Sequence, residues 1–155
     1  MIPVHVRMRL VRETLTALQD FGRDGSERVV FWLANQGSSL MDVDRLFIPA
    51  QEASYDYFRV PEGALAELFG ELRRDRSMVA AQVHTHPEEA FHSYTDDRLA
   101  TIRHAGGLSL VVPYFAQHTS VETFARDSAL FVLSNANQWV RVKASKVAGY
   151  YRIVS

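Results

Sequence analysis

The stretch Val29-Val30-Phe31-Trp32-Leu33-Ala34 is apolar at every position, and it restricts the fold more than any other feature. A strand with one solvated face alternates apolar and polar side chains. A run without alternation therefore reads as a strand covered on both sides, at the centre of a sheet. Covering both faces takes further strands and helices, and the flanking sequence has both. Val4 to Arg9 alternates as a strand, after which Val11, Leu15 and Leu18 fall at helical spacing, with Gly22 and Gly25 marking the helix end. Leu40 to Ile48 and Ser54 to Val60 read as strands. Pro61 then stands where the first turn of a helix tolerates it, and Leu65, Leu68, Phe69 and Leu72 make an apolar stripe closed by Arg73, Arg74 and Arg76.

Met78 to His86 is the next expected strand, followed by a short helix from Asp96 to His104 with Leu99 and Ile102 inward and Gly106-Gly107 closing it. Leu108 to Val112 is a second buried strand. A turn or short helix is expected near Val121 to Ala125, then strands at Ala129 to Ser134 and Trp139 to Lys143 around an Asn135-Ala136-Asn137 turn. Strands interleaved with helices, without repeat or linker, predict a single domain over 1–155, α/β or α+β in class, with a mixed central sheet flanked by helices.

The length of 155 residues suits one core, and 47% hydrophobic residues suffice to fill it. A formal net charge of −1 leaves no global field toward nucleic acid or an anionic membrane. Cysteine is absent, which excludes disulfides and thiolate metal sites, so any metal must be held by nitrogen and oxygen. No apolar run has the length of a signal peptide core or a membrane span, and a soluble, cytoplasmic protein is the expectation.

The chemistry concentrates in Gln82-Val83-His84-Thr85-His86-Pro87 and the loop after it. Side chains two apart on a strand share a face, so His84 and His86 project together while Val79, Ala81 and Val83 face the other way. Pro87 ends the strand directly after the pair. Two such imidazoles can bind one divalent ion, and a carboxylate from the loop, Asp96 or Asp97, would make a third protein ligand and leave the fourth position to water. A His-x-His pair alone is more often two surface or hydrogen-bonded histidines. The buried strand, Pro87 and the following Ser93-Tyr94-Thr95-Asp96 shift the balance to a metal.

This constellation resembles the JAB/MPN (JAMM) metalloproteases, whose signature is an upstream Glu, then His-x-His-Pro, then Ser-x-x-Asp. Here these stand as Glu27, His84-Thr85-His86-Pro87 and Ser93-Tyr94-Thr95-Asp96. The family usually places ten residues between the second His and the Asp, whereas Asp96 leaves nine and Asp97 leaves ten. Ser93 keeps its spacing only to Asp96, which is the favoured ligand, with Asp97 as the alternative. The strand after Glu27 also carries Trp32 and Ala34 where the family commonly has a small residue and a Gly.

The resemblance implies a JAB/MPN-like fold and a Zn2+ ion on His84, His86 and Asp96, lowering the pKa of its bound water to about 7. Glu27 is then the expected general base and Ser93 the oxyanion donor, the latter worth about 2.7–4 kcal/mol if it behaves as other such donors do. The implied substrate is the C-terminal tail of a ubiquitin-like protein, in an isopeptide conjugate or a precursor, with E1-like and E2-like enzymes as accompanying partners. Such a tail would bind extended, beside a sheet edge. A catalytically silent MPN-type scaffold is the rival from another class. A two-His, one-carboxylate iron oxygenase is disfavoured by the helices, since those sites usually sit in all-β barrels.

The remaining polar and aromatic residues have plainer readings. His92 is a loop histidine beside Ser93, and His5, His104 and His118 lack partner spacing. Asp42, Asp44 and Glu52 read as solvated, and Arg73, Arg74 and Arg76 as an exposed basic patch. Tyr55, Tyr57 and Phe58 read as core or sheet face, with a substrate rim as the other option.

Overall fold

The uninterrupted apolar run does form a strand, Val29–Asn35, buried from Val29 through Ala34. It is seen in a computed structural model that describes residues 2–37, 41–90, 102, 104 and 106–155. In chain order the elements are β1 (Val4–Arg7), α1 (Met8–Gly22), β2 (Val29–Asn35), β3 (Met41–Phe47), β4 (Glu52–Ala53), β5 (Phe58–Arg59) and α2 (Glu62–Asp75). They continue as β6 (Ser77–Thr85), β7 (Leu108–Val112), α3 (Phe124–Asp127), β8 (Ala129–Leu133), β9 (Trp139–Arg141) and β10 (Tyr151–Val154). Among the described residues, ten strands fall into an eight-stranded sheet of order β10-β1-β3-β2-β6-β7-β8-β9 and a separate β4–β5 ribbon. The large sheet is mixed: β1 runs parallel to both β10 and β3, and β6 to β7, while the other neighbours are antiparallel.

Both faces of β2 are covered, each by its own cluster. On one face Val30, Trp32 and Ala34 meet Leu10, Leu15 and Leu18 of α1, along with Ala81, Val83 and Leu110. Trp32 anchors this layer. Its indole Nε1 donates to Thr14 Oγ1 at 3.0 Å, and that hydroxyl donates to the Leu10 carbonyl at 2.7 Å. Phe124 and Tyr151 rings lie 6.0 and 6.2 Å from the indole, within the range of favourable aromatic pairs. Tyr151 of β10 and Leu130 of β8, from opposite halves of the sheet, share this cluster, so the sheet curls around α1. On the other face Val29, Phe31 and Leu33 pack with Phe58, Leu68 of α2, Val79 and Ile102.

Several sequence expectations are corrected. Helix α1 begins at Met8 rather than after Arg9, because Leu10, Val11, Thr14, Leu15 and Leu18 form one buried helical stripe that draws the first turn with it. The expected strand from Ser54 to Val60 shrinks to Phe58–Arg59. Ser54 N–H donates to the Tyr57 carbonyl at 2.9 Å, closing a turn that leaves Tyr55 and Tyr57 57% and 39% exposed; of the three aromatics only Phe58 is core. In α2 the buried line runs through Ala64 and Leu68, which leaves Phe69 on the exposed flank. Near Val121 to Ala125, where a turn or short helix is expected, a turn at 121–123 does lead into α3 from Phe124. Strand β10 was not foreseen at all. Of the expected helix from Asp96 to His104 only Ile102 and His104 are described; Ile102 is buried against the α2 face.

Candidate metal centre

Strand β6 lies between β2 and β7, and its register decides what shares a face. Val29 pairs with His84, and the Thr85 N–H donates to the Arg28 carbonyl at 3.1 Å. Glu27 and His86 each lie one residue beyond that bonded pair. Paired residues of antiparallel strands point to the same side, so His84 belongs to the face that carries Val29 and Phe31, and the His86 ring lies next to it. The expected orientation holds for Ala81 and Val83, which lie in the α1 cluster, but fails for Val79. A register shift between Trp32 and Leu33 skips Ala80, so Val79 pairs with Leu33 and joins the histidine face. Such a bulge inverts the alternation of every residue before it.

All three polar side chains are buried: Glu27 is 1% exposed, His84 0% and His86 3%. A solvated carboxylate at a strand start is therefore not what Glu27 is. It precedes β2, and its N–H donates to the Ser54 carbonyl at 2.8 Å, tying it to the β4–β5 ribbon. Next to it, Arg28 stacks its guanidinium 4.4 Å from the centre of the Phe21 ring. Desolvation by burial holds the Arg28 pKa below its ordinary value, partly opposed by the charge of Asp24. The His84 ring lies 5.2 Å from Phe58 and 5.4 Å from the His86 ring, the last two planes inclined at 47°.

These distances can be tested against a metal. Nitrogens about 2.0–2.1 Å from one zinc, with a tetrahedral angle between them, place imidazole centres roughly 5 Å apart. The observed 5.4 Å fits a shared ion. Among the described residues no group of three His, Asp or Glu side chains forms a complete ligand set. The expected third ligand Asp96, its alternative Asp97, the expected oxyanion donor Ser93 and the loop histidine His92 lie outside the described residues. On the same face one row further in, the buried Gln82 Nε2 donates to Ser109 Oγ at 3.0 Å.

The other singled-out residues are elsewhere. His5 sits on β1 with Nδ1 3.4 Å from Asp42, and His104 is exposed. Arg45 pairs with Asp44, Glu71 and Asp75, and Arg59 with Glu52. His118 stacks on Tyr114 with ring centres 5.3 Å apart.

Tyr114 opens a feature that the sequence does not advertise. Tyr114, Phe115 and Ala116 are all left-handed, with φ of 55°, 52° and 62°. Each such residue costs about 1–2 kcal/mol outside glycine, so the surroundings must hold the turn. It abuts the histidine strand: Phe115 N–H donates to the His86 carbonyl at 2.8 Å, Tyr114 N–H to Glu88 at 3.0 Å, and His86 N–H to Val112 at 3.0 Å. The available signal was Gly22, read only as a helix end. A Cβ there would lie 2.6 Å from Phe115 Cβ.

A curled mixed sheet flanked by helices, with two buried histidines whose rings are neighbours and a buried glutamate ahead of β2, defines the class: an α+β protein with buried polar side chains at the end of its central strands. Comparison with known proteins supports that class. The chain is 32% identical over 142 residues to the "Probable metalloprotease y4jG" of Sinorhizobium fredii, an alignment that covers 89% of this chain and 86% of the relative. The chain belongs to the family of this metalloprotease. The solution structure of protein DSY2949 from Desulfitobacterium hafniense shares the fold, with a TM-score of 0.69 and 13% identity over 97% of this chain and 92% of that one. No protein-family model matches the sequence.

Proposed function

We propose that this chain is a JAB/MPN-type zinc metallopeptidase that hydrolyses an isopeptide or peptide bond at the C-terminus of a ubiquitin-like protein. The observation that carries the reading is the burial of Glu27, His84 and His86 at the end of the β2–β6 pairing, where Val29 pairs with His84 and the two histidine rings are neighbours. A zinc ion, when bound, supplies Lewis acidity and a water ionisable near neutral pH. His84 and His86 would hold it, with Asp96 completing the ligand set as the sequence motif suggests. Glu27 takes a proton at its carboxylate and returns it to the leaving amine. Its burial keeps bulk water from competing for that proton. Ser93 donates a hydrogen bond to the carbonyl oxygen as charge develops there. The compact chain suits an extended, narrow tail more than a folded partner, and E1-like and E2-like enzymes are the accompanying partners this reading implies.

The test is metal analysis with cleavage assays on a fusion between a ubiquitin-like protein and a reporter. Stoichiometric zinc and release of the reporter by the wild-type chain, both lost in His84→Ala, are expected. Zinc binding without cleavage of any ubiquitin-like fusion would overturn the substrate assignment. Absence of bound zinc would overturn the metallopeptidase reading and favour a partner-binding scaffold.

A further inference from the structure

The two histidines are not held alike. His84 lies inside the ladder, paired with Val29 of β2 and Val111 of β7. His86 lies one residue beyond β6 and is followed by Pro87, which has no N–H to give. Its main chain is fixed by two bonds, its own N–H to Val112 and its carbonyl from Phe115 N–H. The second comes from a residue held left-handed, at φ 52°, ψ 29°.

Helix α1 grips that conformation from outside. Gln19 Nε2 donates to the carbonyls of Ala116 at 2.9 Å and Thr119 at 3.1 Å. In return Gln117 Nε2 donates to the carbonyls of Gln19 at 3.1 Å and Phe115 at 3.0 Å. Gly22 lets the turn approach, since a Cβ would stand 2.6 Å from both Phe115 Cβ and the Phe115 carbonyl oxygen. Resting on the metal-centre reading above, we propose that Gln19 and Gly22 are positioning residues: they lock the left-handed turn 114–116 against His86 and thereby set the orientation of that ligand. Neither residue faces the histidines; both act through the turn. Carbonyls accepting from a side-chain amide and a glycine at the contact are what hold a strained segment in place when its own sequence disfavours it.

Three measurements on the full chain test this, one of them independent of metal. In the metal-free protein, amide exchange of Phe115 reads the clamp directly. Zinc affinity, by competition with a chromophoric chelator, and the visible spectrum of the Co2+-substituted protein read the ligand geometry. Gln19→Ala is expected to speed Phe115 exchange at least tenfold, weaken zinc binding at least tenfold and alter the Co2+ spectrum. Near-UV dichroism should stay that of the folded core. Gly22→Ala should act in the same direction.

Adding Ala116→Gly to Gln19→Ala should bring zinc affinity back to within about threefold of wild type, because glycine adopts a positive φ without the grip. A role in general stability would instead make that second change worse, through the loss of a buried methyl. Unchanged Phe115 exchange and zinc affinity in Gln19→Ala, or weakened zinc binding that Ala116→Gly fails to restore, would overturn the proposal. Altered exchange in a protein that binds no zinc even as wild type would leave the clamp standing and sink the metal centre.

Discussion

At the scale of single residues, the burial of Glu27 matters most, because a side-chain carboxyl 1% exposed has lost its hydration and requires polar partners in place of water. That requirement and the proposed proton-carrying role can be separated by Glu27→Gln, which keeps the shape and removes the basicity. Zinc content is expected to survive in this variant, while kcat on a cleavable ubiquitin-like fusion falls about 10²–10⁴-fold, the range over which a positioned acid or base contributes. Retained activity would remove Glu27 from the reaction and leave the histidines untouched. The neighbouring placement of His84 and His86 was legible in the sequence through local spacing: two positions apart on a strand means one face, and Pro87 marks where the strand must stop. Glu27 was legible only through resemblance, since nothing local tells a buried carboxylate from a solvated one. The pairing that buries it joins residues far apart in the chain.

Between elements, what the sequence showed was periodicity and what it hid was the exceptions to it. The apolar run of β2 and the stripe of α1 announced a two-sided core, and both clusters are present. The bulge at Ala80, which turns Val79 to the histidine face, left no mark, because a skipped residue among valines and alanines looks like any other. Three successive left-handed residues, Tyr114 to Ala116, were equally silent, their conformation being imposed by α1 rather than preferred by Tyr, Phe or Ala. The α1–β2 contact itself hangs on one polar link in an apolar layer, Trp32 Nε1 to Thr14 Oγ1. Thr14→Val, nearly isosteric, would leave the indole N–H buried without that acceptor. The expected loss of stability is about 1–3 kcal/mol by urea denaturation, and Trp32→Phe in the same background should recover part of it by removing the donor. If Thr14→Val proved neutral, the indole would have another acceptor and the link would not orient α1.

For the whole molecule, one edge of the sheet is made by β10, whose partner β1 lies at the opposite end of the chain, Val4 against Tyr151. Tyr151-Arg152-Ile153-Val154 offers little alternation, and no local signal names a partner nearly the full chain length away; β10 was therefore not read from the sequence. The β1–β10 edge carries a flaw. Tyr151 is 2% exposed, packed on Trp32 and Phe124, and its hydroxyl is buried with no hydrogen-bond partner among the described residues. Burial pushes its pKa well above the ordinary phenol value. The sign of the consequence follows from proton counting. Below about pH 10 the phenol is neutral in folded and unfolded chains alike, and Tyr151 makes no pH-dependent difference. Above it the unfolded chain ionises while the folded one keeps its proton, so stability falls as pH rises, approaching about 1.4 kcal/mol per unit from this residue. Tyr151→Phe keeps the ring and deletes both the unsatisfied hydroxyl and the ionisation. It should stabilise the protein at pH 7 by about 1 kcal/mol and lose less stability than wild type between pH 9 and 11, measured by urea denaturation at each pH. A variant less stable than wild type at pH 7 would mean that the hydroxyl has a partner, and that the seam between the first and last strands is held by a polar contact rather than by ring packing alone.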